Sequence, residues 1–249
     1  MKYYLAISLQ LATLVGLAQQ YVCRGQPYYV WAQSGLNLRE APSTDSRILA
    51  TIPYGAQICI DSLIDMEDIE VEIIKSLTIN PDWNIETPFE GKTPNATIKG
   101  KMVKVTYKGL AGFVFSGYLA DLEPIYKRKN DFRLEEIFEA RYGVLAKLDK
   151  GNDSTDYENI EIVYKNGYVF KRVSLVSWYT NTYLLMDKTL REGLLIFENF
   201  LKTAYTSNDE PSWYIRVKDE SSIGFSEGMF NITLREVDSI LLITVSASN

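Results

Sequence analysis

Apolar and polar positions alternate with a period of two through much of the first half of the chain. Leu36 and Leu38 are separated by Asn37 and followed by Arg39, and Ile48, Ala50 and Ile52 repeat the spacing before the turn Pro53-Tyr54-Gly55. Successive side chains of a strand point to opposite faces, so this pattern predicts short, half-buried strands. Gly35 can supply the positive φ of a tight turn before the first of them, and Pro42, Ser43 and Asp45 end it, since proline brings no N–H to a ladder. Ile58 and Ile60 continue the series. Ile69, Val71 and Ile73 alternate with Glu70 and Glu72, a strand with an acidic solvent face. Tyr28 to Ala32 is a further strand, with Val30 and Ala32 inward and Tyr29 and Trp31 on the other face.

The period changes in the second half. Leu134, Ile137, Phe138 and Arg141 fall at helical spacing, with Asp131 placed to cap and Gly143 to terminate. Ile160, Ile162 and Tyr164 run into Asn166-Gly167, a strong hairpin signal, with Tyr168 and Phe170 returning. From Thr189 to Tyr205, Leu190, Leu194, Phe197 and Leu201 form a helical stripe that Leu195 and Ile196 widen, while Glu192, Glu198 and Lys202 stay polar. Trp213 to Val217, Phe230 to Arg235 and Ile240 to Val245 read as strands. Residues 131–249 are therefore expected to form a small α+β domain with an antiparallel sheet, after a linker at 124–130 that carries Lys127-Arg128-Lys129.

An apolar content of 46% over 249 residues suffices for real cores. A net charge of −6 argues against nucleic acid and anionic membrane surfaces, because counterion release from phosphates needs a basic stripe. Leu5 to Ala18 is an apolar run after Lys2 and ends in small residues, which reads as a signal peptide over 1–18 and predicts an exported, periplasmic or extracellular protein without a stable membrane insertion. Cys23 and Cys59 could pair in an oxidising compartment. Cys59 lies between Ile58 and Ile60, however, where a free thiol behaves as a small hydrophobe, and that reading is preferred.

Little points to catalysis. Gly224-Phe225-Ser226-Glu227-Gly228 matches the nucleophile-elbow pattern, but the chain contains no histidine to take the serine's proton, so the motif is expected to be a glycine-bounded loop. The acids Asp61, Asp65, Glu67, Asp68, Glu70 and Glu72 lack the spacing that wraps oxygens around calcium, and the polar loop Asp149 to Asp156 reads as solvated. Glu135-Glu136 are neighbours on a helix surface and point apart. No metal or cofactor is expected, and no enzyme.

Gly35-Leu36-Asn37-Leu38-Arg39 with Pro42, followed much later by Lys101-Met102-Val103-Lys104-Val105-Thr106-Tyr107 and by Gly112-Phe113-Val114, Tyr118-Leu119, resembles the bacterial Src-homology-3-type (SH3b) domain. The resemblance covers residues 26–123 and implies a mainly β chain: an SH3-like β-barrel with a long insertion at 63–100, then the α+β domain. Met102 and Phe113 stand where such domains usually carry tryptophans. The insertion holds Trp83 and Phe89, which are expected to pack on the barrel. The family's modules hold cell-wall peptides or other proteins, which implies a non-enzymatic envelope protein binding a cell-wall peptide, glycopeptide or protein partner. Tyr54 and Tyr118 are the leading ligand-binding candidates, with Tyr29 and Trp31 next. The alternatives are a scaffold in which the barrel packs on its own C-terminal domain, and a carboxylate-based hydrolase.

Overall fold

A computed structural model describes residues 26–63, 66–74, 95–125, 133–151, 157–204, 214–219 and 221–248. The alternating stretches of the first half form β1 (Tyr28–Val30), β2 (Leu36–Arg39), β3 (Ile48–Ile52), β4 (Gln57–Ile58), β5 (Ile60–Leu63), β6 (Ile69–Ile74), β7 (Ala96–Gly100), β8 (Met102–Tyr107) and β9 (Leu110–Phe115). A single 3-10 turn at Ser116–Tyr118 then leads to β10 (Leu119–Ala120). They pair antiparallel in a five-stranded sheet β3-β2-β9-β8-β5, a three-stranded sheet β10-β1-β4 and a hairpin β6-β7. The chain is mainly β, and among the described residues none of these sheets closes into a barrel.

Leu36, Leu38, Ile52, Val103, Val105 and Val114 turn their alternating faces into a buried core. Gly112 is required where β9 crosses β2, because a Cβ there would stand 2.6 Å from the Arg39 carbonyl oxygen. β4 and β5 are consecutive except for Cys59, so one run of chain leaves the three-stranded sheet and enters the five-stranded one at that residue. Cys59 is disulfide-bonded, which corrects the expectation of a free thiol. A side chain between two inward positions of a strand points away from them, and Cys59 is only half-buried. In the β6-β7 hairpin Glu70 and Glu72 are exposed while Ile74, Ala96 and Ile98 are buried.

The second half comprises α1 (Leu134–Tyr142), β11 (Val144–Asp149), β12 (Glu158–Tyr164), β13 (Val169–Leu175), β14 (Trp178–Met186), α2 (Leu190–Ala204), β15 (Tyr214–Asp219), β16 (Ser222–Glu227), β17 (Phe230–Val237) and β18 (Ile240–Ser248). All eight strands join one antiparallel sheet in the order β11-β12-β13-β14-β18-β17-β16-β15. The architecture is a helix followed by a four-strand meander, used twice, with the two meanders joined through their last strands. Thr182 faces Thr244 at the centre of that seam.

Two expectations change here. Gly224 to Glu227 is not a loop but part of β16, with Phe225 fully buried and Ser226 Oγ donating to Asn231 Oδ1 at 2.7 Å. Only Gly228 of the motif lies in a turn, at φ 56°. The first helix starts from Arg133 without a side-chain cap. Asp131 lies outside the described residues, as do residues 1–18, Cys23, Asp65, Trp83, Phe89, Lys127 to Lys129 and Trp213.

Both helices pack on one face of the sheet. Phe138 of α1 is fully buried and meets the rings of Tyr164, Tyr168 and Tyr183 edge-on. Its neighbour Glu135 turns inward and accepts from the Tyr183 hydroxyl and from Arg172 Nη2, whereas Glu136 is exposed beside Arg133. In α2, Phe197 packs against Phe225 with the rings tilted at 41° and a centroid distance of 4.0 Å, and Gly193 lies against Leu241. Thr189 and Glu192 form a reciprocal capping box, and the Glu236 carboxylate accepts the Leu190 N–H at 2.6 Å.

Candidate functional site

Every residue of α2 from Glu192 to Leu201 is buried, including Glu192, Glu198 and Asn199. One helix face against one sheet does not bury polar positions on the opposite side. They are covered by the N-terminal strands. Asn199 is the hub: its Nδ2 donates to the Tyr54 hydroxyl and to the Ile125 carbonyl, both at 2.9 Å, and its Oδ1 accepts from Gln33 Nε2 at 2.6 Å. Nearby, Arg191 Nη1 donates to the Ser116 carbonyl at 2.9 Å. Pro124 and Ile125, expected to open a linker, are buried in the same contact.

At the opposite, N-terminal end of α2, Lys188 Nζ lies 2.7 Å from Asp121 Oδ1 and 4.0 Å from Glu192 Oε1. Burial opposes ionisation of Asp121, but the hydrogen bond and charge of Lys188 prevail and hold its carboxyl below the usual range. Burial pushes Glu192 the other way, and the hydrogen bond from Thr189 N–H only partly offsets it. Two carboxyls with diverging proton affinities could suggest acid–base chemistry. Here Lys188 and Glu192 each keep only 7% of their side chains exposed, and none of the three lines the cleft described next.

A cleft of about 220 Å³ does open beside the same interface, along β2. Gln33, Ser34, Asn37, Arg39 and Thr44 form its polar wall, while Leu36, Val71, Met102, Phe115 and Tyr118 form its apolar wall. Val71 comes from the β6-β7 hairpin, so the segment between β5 and β8 shapes this cavity. Met102, in the position where the resemblance led one to expect an indole, is almost fully buried.

The four aromatic candidates separate. Tyr118 lines the cleft, half-buried, its ring edge-on to Phe115 at 6.0 Å, and burial together with Glu198 pushes its hydroxyl up to about 12. Tyr54 lies outside the cleft lining and engages Asn199. Tyr29 is half-buried within the β1 pairings to Ala120 and Gln57. Trp31, placed on the face opposite Val30 and Ala32, is 1% exposed, with its indole N–H donated to the Leu122 carbonyl at 2.8 Å, so it offers no surface to a ligand. The strand β1 ends at Val30, so the alternation that turned Trp31 outward no longer applies.

Sequence reasoning missed Asn199, Lys188, Asp121 and Gln33 as a group, since their contacts span chain separations of up to 166 residues. The one local signal was the adjacent polar pair Glu198-Asn199 between Phe197 and Phe200 of α2. Among the described residues no helix is long and apolar enough to cross a membrane. Comparison with family models, with curated proteins and with solved structures finds no match to this chain.

Proposed function

We propose that this is a non-enzymatic, exported envelope protein whose N-terminal half is an SH3-like module with a long insertion, binding a peptide or peptide-like ligand in the cleft along Gly35 to Arg39. The observation that carries the reading is the placement of that cleft: Asn37 and Arg39 of β2 are among its polar lining, and Tyr118 with Met102 and Phe115 among its apolar lining. A concave site with a few convergent polar groups on an apolar floor is the usual form of a binding site. At about 220 Å³ it is smaller than the roughly 300–1,000 Å³ of drug-sized pockets, which suits a short segment of a longer ligand. Binding of the full chain to cell-wall sacculi and to a peptide library tests the reading, beside Tyr118→Ala at matched melting temperature. Truncating a hot spot should weaken binding about thirtyfold, and an unchanged affinity would remove Tyr118 from the site.

A second reading is supported by a different observation. The Asn199 hub and the Arg191 bond to the Ser116 carbonyl fasten the N-terminal half to α2, as a scaffold whose module serves its own C-terminal half would require. In that case Asn199→Ala, and not Tyr118→Ala, should abolish function in cells.

A further inference from the structure

Arg39 is the one cation lining the cleft. Its Nη1 donates to the Ser46 carbonyl at 2.6 Å, and no carboxylate lies within ion-pair distance of it among the described residues. The nearest acid in sequence, Glu40, is already held by Arg47 through two hydrogen bonds of 3.0 Å. Arg39 thus keeps the Nε and Nη2 edge of its guanidinium for another partner, and that planar edge matches a carboxylate. Asn37, two residues earlier on the same strand, accepts from Thr51 through Oδ1 at 3.3 Å, which leaves its Nδ2 as a donor. Residues two apart on a strand lie about 6.6–6.8 Å apart, the repeat of any extended peptide running beside it. The β2-β3 register also shifts between Leu38 and Arg39, a break of the kind that re-aims a side chain.

We propose that the cleft takes the C-terminal carboxylate of a short extended peptide, with Arg39 seating the carboxylate, Asn37 donating to a carbonyl of the peptide, and Phe115 and Val71 receiving an apolar side chain. The inference rests on the cleft-binding reading and specifies its ligand. A carboxylate fits better than a phosphate, because a single guanidinium edge beside an apolar floor compensates one negative charge and not two.

The test is calorimetry on the full chain with a library of N-acetylated tripeptides made once as free acids and once as amides, with inorganic phosphate as competitor. Free acids should bind at least about tenfold more tightly than their amides, as a charged hydrogen-bonded contact provides. Arg39→Gln should erase that preference, Arg39→Lys should retain part of it, and raising salt from about 0.05 to about 0.5 M should weaken only the acids. Equal binding of acids and amides would overturn the carboxylate seat while leaving the cleft reading in place. A preference that survives Arg39→Gln at unchanged melting temperature would place the seat elsewhere, and displacement by phosphate below about 1 mM would overturn the choice of carboxylate. Absence of binding by either library would overturn both readings. The comparison on the unaltered protein decides the matter even if a variant fails to fold.

Discussion

Asn199 binds three separate segments with one side chain, so each hydrogen-bonding atom of its amide has a partner and each partner is left with a vacancy if the amide is lost. Asn199→Leu is nearly isosteric and should cost about 2–4 kcal/mol, since buried unsatisfied groups cost about 1–3 kcal/mol each. Urea unfolding measures it, and a change under about 0.5 kcal/mol would mean the hub is not formed in solution. Asp121→Asn should cost about 2–3 kcal/mol, below the 3–5 kcal/mol of a fully buried pair, because Asp121 keeps 31% of its side chain exposed and Glu192 stays near Lys188. The pH dependence separates the two acids. Asp121 has a lowered folded pKa, so its contribution is present above 3.8, its unfolded value, and is lost as pH falls through the folded value. Glu192 has a raised one, so its contribution is complete below 4.5 and is lost as pH rises through the folded value. Relative to Glu192→Gln, the wild-type chain should therefore lose stability as pH rises from about 4.5 toward neutrality, and parallel urea-midpoint curves would contradict this.

At the scale of elements, α2 shows where a sequence pattern informs and where it misleads. Its stripe of Leu190, Leu194, Phe197 and Leu201 was legible, as were the flanking Thr189 and Glu192, and the helix forms at Leu190–Ala204. Its polar face read as solvent-facing because periodicity describes one helix and not what arrives from elsewhere in the chain. β14 escaped for a related reason: its inward positions Tyr179, Asn181, Tyr183 and Leu185 include an asparagine that is satisfied only by Arg172 of β13. β11, at the sheet edge with Leu145 67% exposed, has no alternation to read. Gly193 offers a test in which two magnitudes compete. Alanine would favour the helix by about 1 kcal/mol, but its Cβ would stand 2.9 Å from Leu241 Cδ1, and Leu241 is fully buried with nowhere to turn. Overpacking at about 1–3 kcal/mol should win, so Gly193→Ala lowers the melting temperature, and a rise would show that β18 yields to the helix.

For the whole molecule, the strand content and the antiparallel pairing were readable from alternation and turn residues, whereas the contact between the two halves was not. The buried residues of both halves form one continuous core, and α2 is covered on both sides. Calorimetry of the full chain should accordingly give one transition whose calorimetric and van't Hoff enthalpies agree, and two resolved transitions would restore the independent halves. The doubled helix-and-meander plan was likewise hidden, because equivalent inward positions of β14 and β18 hold unlike residues, Asn181 and Tyr183 against Ile243 and Val245. That plan sets an order of assembly. β18 is made after every strand it joins, yet it lies between β14 and β17 and not at a margin, so a nascent chain holds two half-sheets with raw inner edges until residues 240–248 arrive. Both edges stay open until that stretch is made, and any route that carries the chain through a membrane unfolded would close them on the far side.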